Sequence, residues 1–152
     1  MGSPPNYRMS KYEGDLVRPV GLVTINWAYA EGMLNEVLDE LRAAAGVTRA
    51  PPLVFGAKLA EALQLVEHLG RERLNGLAEV LEKAKPLINA RNELIHGELF
   101  SGGRLVFKDS HRRVTAEEIS ALAERIFAWK EQLWACQQKE LRAFLELKKK
   151  AM

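Results

Sequence analysis

The stretch Arg91-Asn92-Glu93-Leu94-Ile95-His96-Gly97 sets a guanidinium, a carboxamide and an imidazole close together in the chain. Arginine keeps its proton throughout the physiological range, whereas histidine exchanges one near neutrality. Such a pair can hold a phosphate and move a proton without a metal, a combination that suits RNA cleavage. Around a helix, at about 100° per residue, Leu87, Ile88, Ala90, Leu94 and Ile95 form one apolar arc with Arg91 near its middle. Asn89, Asn92, Glu93 and His96 take the other side. A charge in that arc is costly to bury alone. Either it meets a buried carboxylate, or the arc faces a second subunit across a partly wet groove, the arrangement favoured here.

The elements that must position this motif read as helices. Residues 1–15, with Gly2, Pro4, Pro5 and Gly14, have no regular period and read as a flexible leader ahead of one helical domain over 16–152. From about Pro19 to Ala45, Val23, Trp27, Ala30, Leu34, Val37 and Leu41 recur at steps of three and four, the period of an amphipathic helix ended by Gly46. Pro51 and Pro52 then turn the chain into a second helix, Phe55 to Leu69, which Gly70 breaks. A third begins near Arg71 and runs to Pro86, which either kinks it or opens a new one. Gly97 stops the motif helix, and Leu99 to Phe107 reads as a hairpin turning at Gly102-Gly103. Thr115 and Glu118 make a capping-box pattern for a last helix reaching about Lys149, with Trp129 and Trp134 on its apolar side. The expected fold is all-α: an antiparallel helical bundle of four to five helices with a short β-hairpin insertion.

Composition narrows the function classes. A chain of 152 residues, 47% hydrophobic, has enough material for one core, and a net charge of +2 does not mark a nucleic-acid binder by itself. No apolar run is long enough to cross a bilayer or to serve as a signal core, so the expected setting is cytoplasmic, with no membrane partner. The single cysteine, Cys136, continues the apolar spacing of Ile119, Leu122, Ile126, Trp129 and Leu133 and reads as packing. His68, His96 and His111 lie far apart, so no metal site is expected, and no glycine-rich phosphate loop is present; no cofactor is expected. The Lys148-Lys149-Lys150 ending reads as a solvated helix terminus.

Arg91, the polar Asn92 directly after it and His96, late in a helix of an all-α chain, resemble the motif of the HEPN family (higher eukaryotes and prokaryotes nucleotide-binding). The likeness covers the expected four-helix core and extends to Trp27 and Glu31 on a long first helix and to a small hairpin after the histidine. It implies a homodimer in which two Arg-His motifs share one cleft. There RNA is cut without a metal through attack of the ribose 2′-hydroxyl, as in a toxin or defence effector with a cognate antitoxin or other protein partner. The geometry of one copy agrees in part: Arg91 and His96 point about 140° apart, while Asn92 and His96 are one turn apart. Two copies about a twofold axis could converge, and fraying at Gly97 would let His96 turn inward. His96 is then the general acid or base, Arg91 stabilises phosphate charge, Asn92 orients His96 or donates to phosphate, and Glu31 holds Arg91.

Arg104, Lys108, Arg112 and Arg113, with His111, form a basic cluster suited to RNA phosphates without sequence selectivity, or to a solvated loop. Glu98 stands where some family members carry a tyrosine for nucleotide modification, so the likeness does not carry that regulation. Structural readings stand beside the functional ones: His96 as a helix C-cap, Asn92 as a surface residue, Arg91 in a structural salt bridge. Two further functions stay open. One is a catalytically inactive HEPN-like dimer binding RNA, a nucleotide or a protein through the same groove. The other is an interaction module built on the tryptophan-rich last helix.

Overall fold

A computed structural model describes residues 14–95, 98–100, 104–106 and 114–151. The described chain is dominated by α-helix: α1 (Gly14–Ala45), α2 (Phe55–Gly70), α3 (Asn75–Glu82), α4 (Ala84–Ile95), α5 (Ala116–Cys136) and α6 (Arg142–Ala151). A 3-10 turn, Arg71–Arg73, joins α2 to α3, and a π-helical turn, Gln137–Leu141, joins α5 to α6. Two three-residue strands, β1 (Glu98–Phe100) and β2 (Arg104–Val106), pair antiparallel with Leu99 opposite Leu105. The expected turn at Gly102-Gly103 and most of the 1–15 leader lie outside the described residues.

The helix limits follow local chemistry. Every member of the α1 stripe, from Val23 and Trp27 to Leu41, is buried. The helix begins a turn earlier than Pro19 suggested, with Pro19 inside it and one amide bond forgone. Gly46 ends α1 at a φ of 71°, a left-handed conformation in which its N–H bonds Ala43 and the Val47 N–H reaches the Arg42 carbonyl at 2.9 Å. Pro86 sits in the first turn of α4, where its missing N–H costs no helical bond. At the start of α5 the Thr115 hydroxyl accepts the Glu118 N–H at 3.2 Å, as the capping pattern required.

The residues group into two compact units, with boundaries inside α1, α4 and α5. The unit that holds the motif helix comprises α1 up to Trp27 and the chain from Pro86 to Ile126. Here the Asn26 amide donates to the Ala123 carbonyl at 2.9 Å, tying α1 to α5. The other unit comprises Ala28–Lys85 and the chain from Phe127 on. Its Trp129 ring lies 5.9 Å from Phe55, and the indole N–H donates to the Val80 carbonyl at 2.7 Å. Trp134, expected on the same apolar side, is 51% exposed. Five residues beyond Trp129 it points about 140° away, outside the stripe that Leu133 continues.

The same unit buries charge. Arg42 and Glu61, each with a side chain only 8% exposed, form a salt bridge at 2.7 Å, and Glu61 also accepts Arg49 at 2.6 Å. Arg42 further donates to the Arg49 carbonyl, so a single guanidinium joins α1, α2 and the loop between them. Glu140 in the π-helical turn accepts the Leu77 N–H at 3.1 Å at the start of α3, and the missing side chain of Gly76 leaves space for that carboxylate. Glu61→Ala, which strands the Arg42 charge, is expected to destabilise the fold by about 3–5 kcal/mol in urea denaturation. Thr115→Ala is expected to cost about 1 kcal/mol in the same measurement.

Candidate nucleic-acid site

The geometry of the motif starts from α4. Leu87 and Leu94, two turns apart, are buried and anchor the helix. The buried stripe is narrower than the arc read from the sequence: Ile88 is half-buried and Ile95 is 48% exposed. Arg91, about 40° around the helix from Leu87 and flanked on its other side by the buried Ala84, stays within the stripe and is half-buried.

The Arg91 guanidinium lies over the Trp27 ring, its Cζ 4.9 Å from the ring centroid. The negative face of an indole attracts a cation by about 0.5–2 kcal/mol, more as water is excluded. Trp27 is itself buried on the inward stripe of α1, so the platform beneath Arg91 is as fixed as the core. Asn92 and Glu93 are exposed beside it. The helix is described through Ile95, and His96 and Gly97 lie outside the described residues.

The other expected contributors are distributed as follows. Glu31, the carboxylate expected to hold Arg91, accepts the Lys58 ammonium at 2.9 Å. The aromatic contact of Arg91 was missed in the sequence reading, although Trp27 lies one turn before Glu31 on the same helix. An indole on the inner stripe of one helix and an arginine within the apolar stripe of another were the available signal. Arg104 starts β2, opposite Phe100. Lys108, Arg112 and Arg113 lie outside the described residues.

Other chemistry is bounded by what surrounds it. Cys136 is half-buried, and burial first, then the nearby charges of Glu140 and Glu79, push its thiol pKa up, away from the thiolate a nucleophile needs. Among the described residues no group of three or more His, Cys, Asp or Glu is placed to hold a metal. No helix among them is long and apolar enough to cross a membrane. A surface cavity of about 790 Å³ lies between the end of α1 and α6, lined by Ala43, Ala44, Leu145 and Lys149 among others, and holds none of the motif residues. Glu40, Arg142, Glu146 and Lys148 also line it, and it belongs to the unit that does not hold the motif helix. Compared with known proteins, the chain matches no family model, no curated protein and no solved structure.

Two outcomes follow from these contacts. In a double-mutant cycle between Arg91→Met and Trp27→Leu, chemical denaturation should return a coupling of about 0.5–2 kcal/mol. Alkylation of Cys136 by iodoacetamide should lag behind that of a free thiol at pH 8, and the gap should close as pH rises through the elevated thiol pKa.

Proposed function

We propose that this chain is a HEPN-like, metal-independent endoribonuclease that works as a homodimer, with Arg91, Asn92 and His96 from two copies in one cleft. The observation that carries the reading is the half-buried Arg91 cation, set on Trp27 in the helix that leads into His96. A cation fixed by packing is already oriented for a phosphate, so little reorganisation is needed when charge develops on it. The mainly helical character of the described residues supports the same reading, as does the short strand pair that follows the motif in the chain. The finer architecture proposed is a HEPN-like antiparallel bundle with its hairpin inserted after the motif, and a toxin or defence role with a protein antagonist.

In the proposed reaction one His96 takes the proton of a ribose 2′-hydroxyl while that oxygen attacks the adjacent phosphorus. Arg91 holds the negative charge that grows on the phosphate oxygens. The bond from phosphorus to the 5′-oxygen breaks, and the leaving oxygen takes its proton from the imidazolium just formed or from water. The products are a 2′,3′-cyclic phosphate and a 5′-hydroxyl. Asn92, one turn before His96, orients the imidazole or donates to the phosphate. Arg104, Lys108, Arg112 and Arg113 bind flanking phosphates.

One observation favours a second reading, a catalytically inactive dimer of the same fold that binds RNA, a nucleotide or a protein. Glu93 is exposed beside Asn92, and Glu98 opens β1, so negative charge flanks the motif. Incubation with single-stranded and structured RNA in EDTA separates the two. Wild type should cut, and His96→Ala and Arg91→Ala should each lose at least about 100-fold. No cleavage, or equal cleavage by His96→Ala, rejects the nuclease, and salt-sensitive RNA retention without product then identifies the binding module.

A further inference from the structure

Helix α1 carries a second periodic pattern on its outer face. Arg18, Leu22, Ile25, Tyr29, Gly32 and Glu36 are spaced by alternating steps of four and three, the seam of a coiled coil, and all six are exposed. The apolar members are unusually open for their type: Leu22 is 41% exposed, Ile25 53% and Tyr29 61%. No Asp, Glu, Lys, Arg or His occurs from Pro19 through Ala30, so an outer face that normally carries charge is without it over three turns. Such a face in water calls for a cover.

The order of residue types identifies the cover. The seam is complementary to itself when reversed about a point near Trp27. In an antiparallel pair Arg18 meets Glu36 of the second copy, Leu22 meets Gly32, and Ile25 meets Tyr29. The charges then neutralise one another at both ends, where a parallel pair would set Arg18 beside Arg18. The large residue Leu22 falls opposite a glycine whose missing side chain leaves no heavy atom within 4 Å of the vacant position. Tyr29 is held in place beforehand, with the Lys130 ammonium 5.9 Å from its ring centre and 4.3 Å from that of Phe127.

We propose that two copies of this chain associate through an antiparallel, twofold pairing of α1 along Arg18, Leu22, Ile25, Tyr29, Gly32 and Glu36. The contact runs about 27 Å along the helix, from Arg18 to Glu36 at roughly 1.5 Å per residue step. It is distinct from the pairing of Arg91-His96 motifs, because Trp27, beneath Arg91, points about 180° away from Arg18 and Glu36 around α1. The helix itself stands between the seam and Arg91. An enzyme using both contacts contains more than two copies.

Sedimentation equilibrium of the full chain, from low micromolar to roughly 100 µM, tests the seam. Wild type should self-associate, and Ile25→Lys should abolish this contact, halving the assembly mass. Arg18→Glu should weaken association at least about tenfold, and the double variant R18E/E36R should restore it to within about threefold of wild type. All these positions are exposed, and circular dichroism verifies that the variants stay folded. A wild type that is monomeric at the top concentration, or an assembly mass unchanged by Ile25→Lys, overturns the proposal; a charge swap no better than Arg18→Glu overturns the antiparallel register. Arg91→Ala should leave the seam intact, so loss of RNA cleavage and loss of this contact are read separately.

Discussion

A permanent cation can stand in an apolar helix stripe only where something compensates its lost hydration, and the Trp27 ring contributes to that for Arg91. The contact depends on the inward stripe of α1, on which Trp27 is buried together with Val23. It depends equally on Leu87 and Leu94, which set the rotation of α4 and hence the direction in which Arg91 leaves the helix. In the same unit, the amide of Asn26 fixes α1 to the Ala123 carbonyl of α5, so the platform is braced one residue from the indole. The proposed chemistry inherits its orientation from this packing, with the phosphate-binding group set in advance and the proton-transfer group following at the helix end.

Much of the helical framework was legible because burial has a period. The α1 stripe, the glycine stops at Gly46 and Gly70 and the Thr115 cap all follow from spacing and backbone chemistry that act within a few residues. The misplaced residues have a common physical origin. Ile95 and Trp134 are apolar but lie beyond the side of the helix that the anchoring leucines bury, and a period read from residue types cannot tell the border of a stripe from its centre. The last helix also reads as uniform in sequence, whereas a π-helical turn at Gln137–Leu141 interrupts it and carries Glu140, which accepts the Leu77 N–H at the start of α3. That contact joins residues 63 apart in the chain, and no local pattern encodes it.

The site was less legible than the framework. Arg91 stands out because a charge interrupts apolar neighbours, but its spacing carries no sign of the aromatic ring that lies beneath the guanidinium. Glu31 was singled out for its place beside the α1 stripe, a place that serves Lys58. Ion pairs are chosen by which long side chains reach each other in three dimensions, and a helical wheel carries no such information. The buried Arg42–Glu61 pair, which ties the loop after α1 to α2, went unread for the same reason.

In the proposed nuclease two chains build one reactive cleft, each bringing Arg91 and His96. Mixing subunits tests this most directly: Arg91→Ala and His96→Ala chains are unfolded together, refolded as a mixture, and assayed on RNA in EDTA beside each variant refolded alone. The account predicts that the mixture cuts RNA well above either parent, because mixed dimers reunite one intact guanidinium with one intact imidazole in the shared cleft. Mixed dimers that form, verified by differently tagged chains, yet cut no faster than the parents would contradict it.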